Sequence, residues 1–119
     1  MAYVDGFVLP VPKKNLSAHR RMARKAERVW REHGALDYRK WVADAVKPGK
    51  RTSFPQSVKL NPGEVVVFPY IVDKSRAQRD RLNAKVMKDP RLANMMDSKA
   101  LPFDARQMIY RGFRLLVQG

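Results

Sequence analysis

The amino-acid sequence predicts an α+β fold: an antiparallel sheet with helices gathered on one face. Three observations predict it. Short apolar runs near both ends and in the middle of the 119 residues have strand length, and two longer stretches between them repeat at helical spacing. The strongest run, EVVVFPYIV from Glu64 to Val72, is apolar on both of its alternating faces. A strand with one face in water alternates apolar and polar residues, so both faces of this one need cover. One face packs on the chain's own helices. For the other, the sheet of a second subunit is the expected cover, which predicts a homodimer.

The first strand, Tyr3 to Leu9, is rich in aromatic and β-branched residues, and Pro10 and Pro12, which cannot donate to a ladder, are expected to close it. Asn15 stands where a helix N-cap is wanted. From Leu16 the residues Met22, Ala23, Ala26, Val29 and Trp30 recur at helical spacing until Gly34, which predicts a helix over Leu16 to His33. ALDYRKWV, Ala35 to Val42, reads as the second strand, and KPGKR after it as a surface loop. A short strand is expected around Phe54 to Leu60, before the turn Asn61-Pro62-Gly63 and the strand Glu64 to Val72. Ser75 caps a second helix running to about Lys88. Asp89 caps a further short helix with Pro90 at its first position, reaching Met96. After a loop around Pro102, Gln107 to Val117 reads as the last strand. The order β, α, β, β, α, β is the ferredoxin-like plan, in one domain spanning residues 1–119.

Composition narrows the functional classes. With 45% hydrophobic and 9% aromatic residues the chain is globular in character. Its longest mainly apolar stretch is strand-sized, and a membrane-spanning helix needs roughly 20 apolar residues, so no membrane association is expected. The N-terminal MAYVDGFVLPVP reads as mature structure rather than a leader, and a cytoplasmic location is the default expectation. Absence of cysteine removes disulfides, thiol catalysis and thiolate metal sites. Lys and Arg number 25 against 11 Asp and Glu, a net charge of +14 that attracts polyanions.

Three strings carry a family resemblance: YVDGFVLPVP at Tyr3 to Pro12, NAKVMKDPRL at Asn83 to Leu92, and PFDARQMIYRGF at Pro102 to Phe113. Together they resemble the YbaA-like family of small bacterial proteins, a family of unknown function, over nearly the whole chain. The resemblance implies a dimeric α/β barrel in which two sheets face each other, related in fold to small monooxygenases and other ligand-binding barrels. It implies no particular reaction.

Among individual residues, Asp5 lies inside an apolar strand, and a buried carboxylate must be paired or hold its proton, which makes it the candidate acid or base. Arg106 and Arg111 are conceivable partners. The plainer reading of Asp5 is a structural ion pair. Trp30, Trp41, Phe68, Tyr70 and Phe113, with Asp5 and Arg111, are candidates to line a ligand cavity between sheet and helices, and the plainer reading of the aromatics is core. Arg20, Arg24, Arg28 and Arg31 recur along one face of the first helix. They make a nucleic-acid-binding stripe the alternative function, against the simpler reading of a solvated helix face. His19 and His33 lie about four turns apart, too far to share a metal ion, and no metal or cofactor is expected. The Gly-rich phosphate loops GxxxxGK[ST] and GxGxxG are absent, as is a nucleophile-elbow serine. The leading expectation is a small-molecule-binding dimeric barrel with no assigned reaction. A cofactor-independent monooxygenase-like enzyme is a further alternative.

Overall fold

The computed structural model describes residues 2–95, 103 and 105–119. The first strand, β1, runs Tyr3–Pro12, past the end at Leu9 expected from its prolines. Pairing explains the difference. On one side β1 is bonded only from Tyr3 to Val8, whereas on the other it pairs through Pro12, with Pro10 opposite Val66 and Pro12 opposite Glu64. A strand with a neighbour on one side only tolerates proline, because the missing N–H deprives no partner.

A 3-10 turn at Lys13–Asn15 leads into α1, Leu16–His33, whose bounds are those read from the sequence. Asn15 occupies the N-cap position without a side-chain capping bond, and Gly34 ends the helix at φ 121°. β2 is Asp37–Val42, shorter than ALDYRKWV at its start. Ala35 is still held by the helix, its N–H donating to Trp30 O at 3.0 Å.

The expected strand at Phe54 to Leu60 is instead a short helix, α2, Phe54–Ser57. Ser53 Oγ accepts from Gln56 N at 3.2 Å, and Pro55 sits in the first turn, where its fixed φ suits a helix. Local capping outweighs the apolar pattern there. β3 is Glu64–Asp73, and α3, Arg76–Met87, starts under Ser75, whose Oγ accepts from Gln78 N at 3.1 Å. α4 is Pro90–Met95; its expected end at Met96 and the loop around Pro102 lie outside the described residues. A 3-10 turn at Ala105–Gln107 precedes β4, Ile109–Arg114. β4 is shorter than Gln107 to Val117, because its ladder ends where Arg114 meets Tyr3, the first residue of β1.

The sheet order is β2-β3-β1-β4 with every neighbouring pair antiparallel, the ferredoxin-like α+β arrangement. The register sorts the side chains. Tyr3, Asp5, Phe7, Leu9 and Val11 share one face with Val67, Pro69, Ile71 and Asp73, with Tyr38 and Lys40, and with Tyr110 and Gly112. That face meets the helices: Val29, Leu82, Val86 and Leu92 close a core over Ile71, and Leu9, Val11 and Val67 form a second. The opposite face carries Val4, Val8, Trp41, Phe68, Tyr70, Ile109 and Phe113. α2 touches its margin, with Phe54 edge-on to Phe68, while Trp41, Phe68, Ile109 and Phe113 stay exposed. Among the described residues no helix is long and apolar enough to cross a membrane.

Candidate functional site

Between the sheet and the helices lies a cavity of about 360 Å³. Its walls are mainly apolar: Phe7 and Leu9 from β1, Met22, Ala26 and Trp30 from α1, and Met87 from α3. Asp5, Tyr38, Lys40 and Arg79 add polar groups, which is the make-up of a small-molecule site.

Asp5 is buried on β1 and faces Arg79 of α3, whose Nε lies 3.5 Å from its Oδ1 in an ion pair without hydrogen-bond geometry. The same guanidinium donates to Tyr3 Oη at 2.9 Å, lies over the Tyr3 ring, and pairs with Asp80 Oδ1 at 3.0 Å. Burial pushes the Asp5 carboxyl up, Arg79 pulls it down, and the negative charge of Asp80 adds to the rise. Asp73, at the end of β3 and opposite Tyr3, is fully buried, and neither oxygen has a hydrogen-bond partner among the described residues. Burial, and then the charge of Asp5, raise its carboxyl to about 6, against the pull of Arg79. Asp5 and Asp73 are thus coupled carboxylates beside one guanidinium, which Asp80 also engages. Gly112 makes their arrangement fit, because a Cβ there would overlap both Tyr3 and the Arg79 guanidinium.

Lys40 of β2 enters the cavity wall opposite Pro69. Its Nζ lies 3.0 Å from Nε2 of His19, a buried residue of α1. Burial lowers the Lys40 ammonium to about 8. Burial, and then the charge of Lys40, lower the His19 imidazole to about 4, so it is neutral near pH 7 and its Nε2 accepts a hydrogen bond from the Lys40 ammonium. His19 Nδ1 has no hydrogen-bond partner among the described residues, and the ring stands edge-on to Phe103. Tyr38, on the same face of β2, packs on Trp30; burial, followed by Glu27, pushes its phenol up.

Residues 2–105 match the model of the family described as "Protein of unknown function (DUF1428)". Over 117 residues, 98% of each chain, the sequence is 43% identical to "Uncharacterized protein YbaA" of Escherichia coli (strain K12), and equally to that of Shigella flexneri. The chain belongs to the YbaA-like family. Among solved structures, the fold is similar to Rv0793 from Mycobacterium tuberculosis (TM-score 0.58, 13% identity, 99% of this chain and 98% of that one). It is also similar to a protein of Nitrosomonas europaea named "Putative antibiotic biosynthesis monooxygenase" (TM-score 0.55, 16% identity, 97% and 90%).

In this YbaA-like chain the sheet divides the residues singled out from the sequence. Asp5 and Trp30 line the cavity. Trp41, Phe68, Tyr70 and Phe113 lie on the opposite face, so they do not join Trp30 in one aromatic cavity between sheet and helices. Side-chain alternation is the reason: each has the parity of the uncovered face, and Trp41 stacks on Tyr70 there. Arg111 borders the cavity from β4, but its guanidinium donates to Tyr110 O at 2.7 Å and lies over the Tyr110 ring. Arg79, not Arg111, is the partner of Asp5. Arg20, Arg24, Arg28 and Arg31 are all exposed on α1, with Arg31 donating to Leu36 O. Among the described residues no group of three or more His, Asp or Glu side chains could hold a metal ion.

Sequence reasoning missed Lys40, Tyr38, Arg79 and Asp73. A signal existed for the first two. In DYRKWV, Tyr38 and Lys40 share the parity opposite to Trp41. A reading that put Trp41 on the open face would have placed both beneath the helices.

Proposed function

We propose that this chain is a homodimeric, small-molecule-binding barrel whose ligand occupies the cavity between sheet and helices. The observation that carries the reading is that cavity itself: about 360 Å³, mainly apolar, with Asp5, Arg79, Tyr38 and Lys40 converging on it. A filled core would have left no such volume, since interiors pack nearly as densely as organic crystals. Asp5 and Arg79 would orient a polar group of the ligand while Phe7, Trp30 and Met22 cover its apolar body. The uncovered sheet face, with Trp41, Phe68, Ile109 and Phe113 exposed, supports a second subunit.

A neutral environment-sensitive dye such as Nile red tests the cavity, because it carries no charge to pair with the basic surface. Binding to the folded protein should be saturable and should weaken about tenfold or more in Ala26→Leu, because Ala26 lines the cavity and a larger side chain intrudes. Undiminished binding in a folded Ala26→Leu variant would place the dye elsewhere and refute the reading.

Two further readings each rest on one feature. The fold likeness to the Nitrosomonas europaea protein, with a raised carboxyl at Asp5, supports monooxygenase-like chemistry in which Asp5 removes an acidic substrate proton. Oxygen uptake with a readily deprotonated phenolic substrate, lost in Asp5→Asn, is the expected outcome; no uptake across such substrates counts against it. The exposed Arg20, Arg24, Arg28 and Arg31 support nucleic-acid binding through phosphates. Absence of any mobility shift with single- or double-stranded DNA at low salt would remove that support.

A further inference from the structure

Lys40 combines properties that surface lysines lack. It stands in the wall of the cavity, and it is the only lysine among the described residues that line it. Its Nζ is held at 3.0 Å by the imidazole of His19, and no salt bridge among the described residues involves it. A lysine ordinarily ends in water or against a carboxylate, either of which stabilises the ammonium. Here the partner is a neutral ring, because burial keeps His19 unprotonated. The flank of the site is apolar or aromatic: Pro69 opposite, Tyr38 on the same face of the strand, and Met22 and Trp30 above. Desolvation against apolar walls is the way a lysine becomes a nucleophilic amine near neutral pH.

We propose that Lys40 is an imine-forming amine, and that the cavity takes a small, mainly apolar aldehyde or ketone whose carbonyl carbon meets Lys40 Nζ. The assignment rests on the small-molecule reading of the cavity and adds the substrate class and the reacting atom. The ammonium first gives a proton to solvent. The free amine attacks the carbonyl carbon; a C–N bond forms and the π pair moves to oxygen, giving a carbinolamine. The C–O bond then breaks, and the two amine hydrogens leave with that oxygen as one molecule of water. The product is a C=N bond between Lys40 and the ligand, with no change of oxidation state. Burial, which lowers the Lys40 ammonium to about 8, leaves about a tenth of it as free amine at pH 7, far more than an ordinary lysine offers.

Benzaldehyde with sodium cyanoborohydride, which reduces an imine to a stable secondary amine, tests the assignment on the folded full-length chain. Limiting reagent at pH 7, followed by intact-mass measurement and peptide mapping, should give one main lysine adduct, on Lys40, with any adduct of the α-amino group, which ordinarily titrates at about 8, mapped apart from it. Labelling of Lys40 should exceed that of the exposed Lys13, Lys14 and Lys59 by about tenfold or more, as expected from the larger free-amine fraction. The preference should vanish in denaturant, where all lysines are equivalent. Lys40→Arg, which keeps the positive charge and cannot form an imine, should lose the adduct. If Lys40 labels no faster than Lys13, Lys14 and Lys59 while the dye still binds, the imine assignment is overturned and the cavity reading stands. If neither dye nor aldehyde occupies the cavity, both fall.

Discussion

Asp73 bears the clearest single-residue consequence of burial. In the unfolded chain its carboxyl titrates at the ordinary 3.8, and in the folded chain at about 6. Between those values the folded state keeps a proton that the unfolded state has lost, so stability falls as pH rises through that window. Above it the fold carries a buried charge facing Asp5 and only part of Arg79. Asp73→Asn removes the charge and nearly preserves the shape. Near pH 7 it should stabilise the protein by about 1–3 kcal/mol, and near pH 4, where Asp73 is protonated in the folded state, by little. Urea unfolding at the two pH values measures the difference, and a variant less stable than the parent near pH 7 would show that the carboxylate is satisfied. The same residues show what the sequence made legible. Asp5 stood out because a charge interrupts an apolar strand. Arg79 did not, since it is one of several basic residues on a helix and its inward direction depends on how α3 docks. Asp73 closes β3 next to Lys74 and Ser75 and looks like an ordinary strand end until the register sets it opposite Tyr3.

Elements follow local chemistry where local signals agree. α1 was readable to both ends because its apolar period, Gly34 and the two prolines before it point the same way. The segment at Phe54 was not, because an apolar pattern and a serine cap competed and the cap prevailed. β1 ran past its prolines because the extent of β4, a long-range fact, decides which of its N–H groups need partners. Gly34 joins this local chemistry to tertiary packing. Its φ of 121° disfavours any side chain, and a Cβ there would lie 3.2 Å from Gln78 Nε2. That amide donates to Gly34 O at 3.0 Å, while Gln78 Oε1 accepts from Lys74 N at 2.8 Å, so one glutamine ties the end of α1 to the turn before α3. Gly34→Ala should cost about 1–3 kcal/mol, strain and displaced glutamine together. Gly63→Asn should cost less: φ is 82°, a Cβ there meets nothing within 4 Å, and asparagine tolerates the left-handed region. Denaturant titration of the pair checks the order, and equal losses would mean that Gln78 yields freely.

At the scale of the whole molecule, the arginine row of α1 and the exposed aromatics lie on opposite sides of the sheet, with Arg39, opposite Tyr70, on the aromatic side. Arg20, Arg24 and Arg28 sit on the helix layer, whereas Trp41, Phe68, Ile109 and Phe113 sit on the far side of the sheet. Pairing through the sheet faces would therefore bury aromatic surface and leave the arginine row on the outside of both subunits. Each chain carries +14, so two copies would repel at long range, and salt screens that repulsion over about 10 Å at 0.1 M. The proposed dimer should thus tighten as salt rises. Nucleic-acid binding by the arginine row should do the reverse, because each neutralised phosphate releases counterions and the affinity falls with salt. Sedimentation equilibrium at micromolar concentration over a salt series should return a dimer at moderate salt. Phe68→Lys, which puts a charge in the middle of the proposed interface, should return a monomer, while Leu36→Lys, exposed in the α1–β2 connection, should not change the mass. A parent protein that is monomeric across the series would leave the aromatic face without a second copy, and a dimer that loosens with salt would move the contact from the sheet to the charged surface.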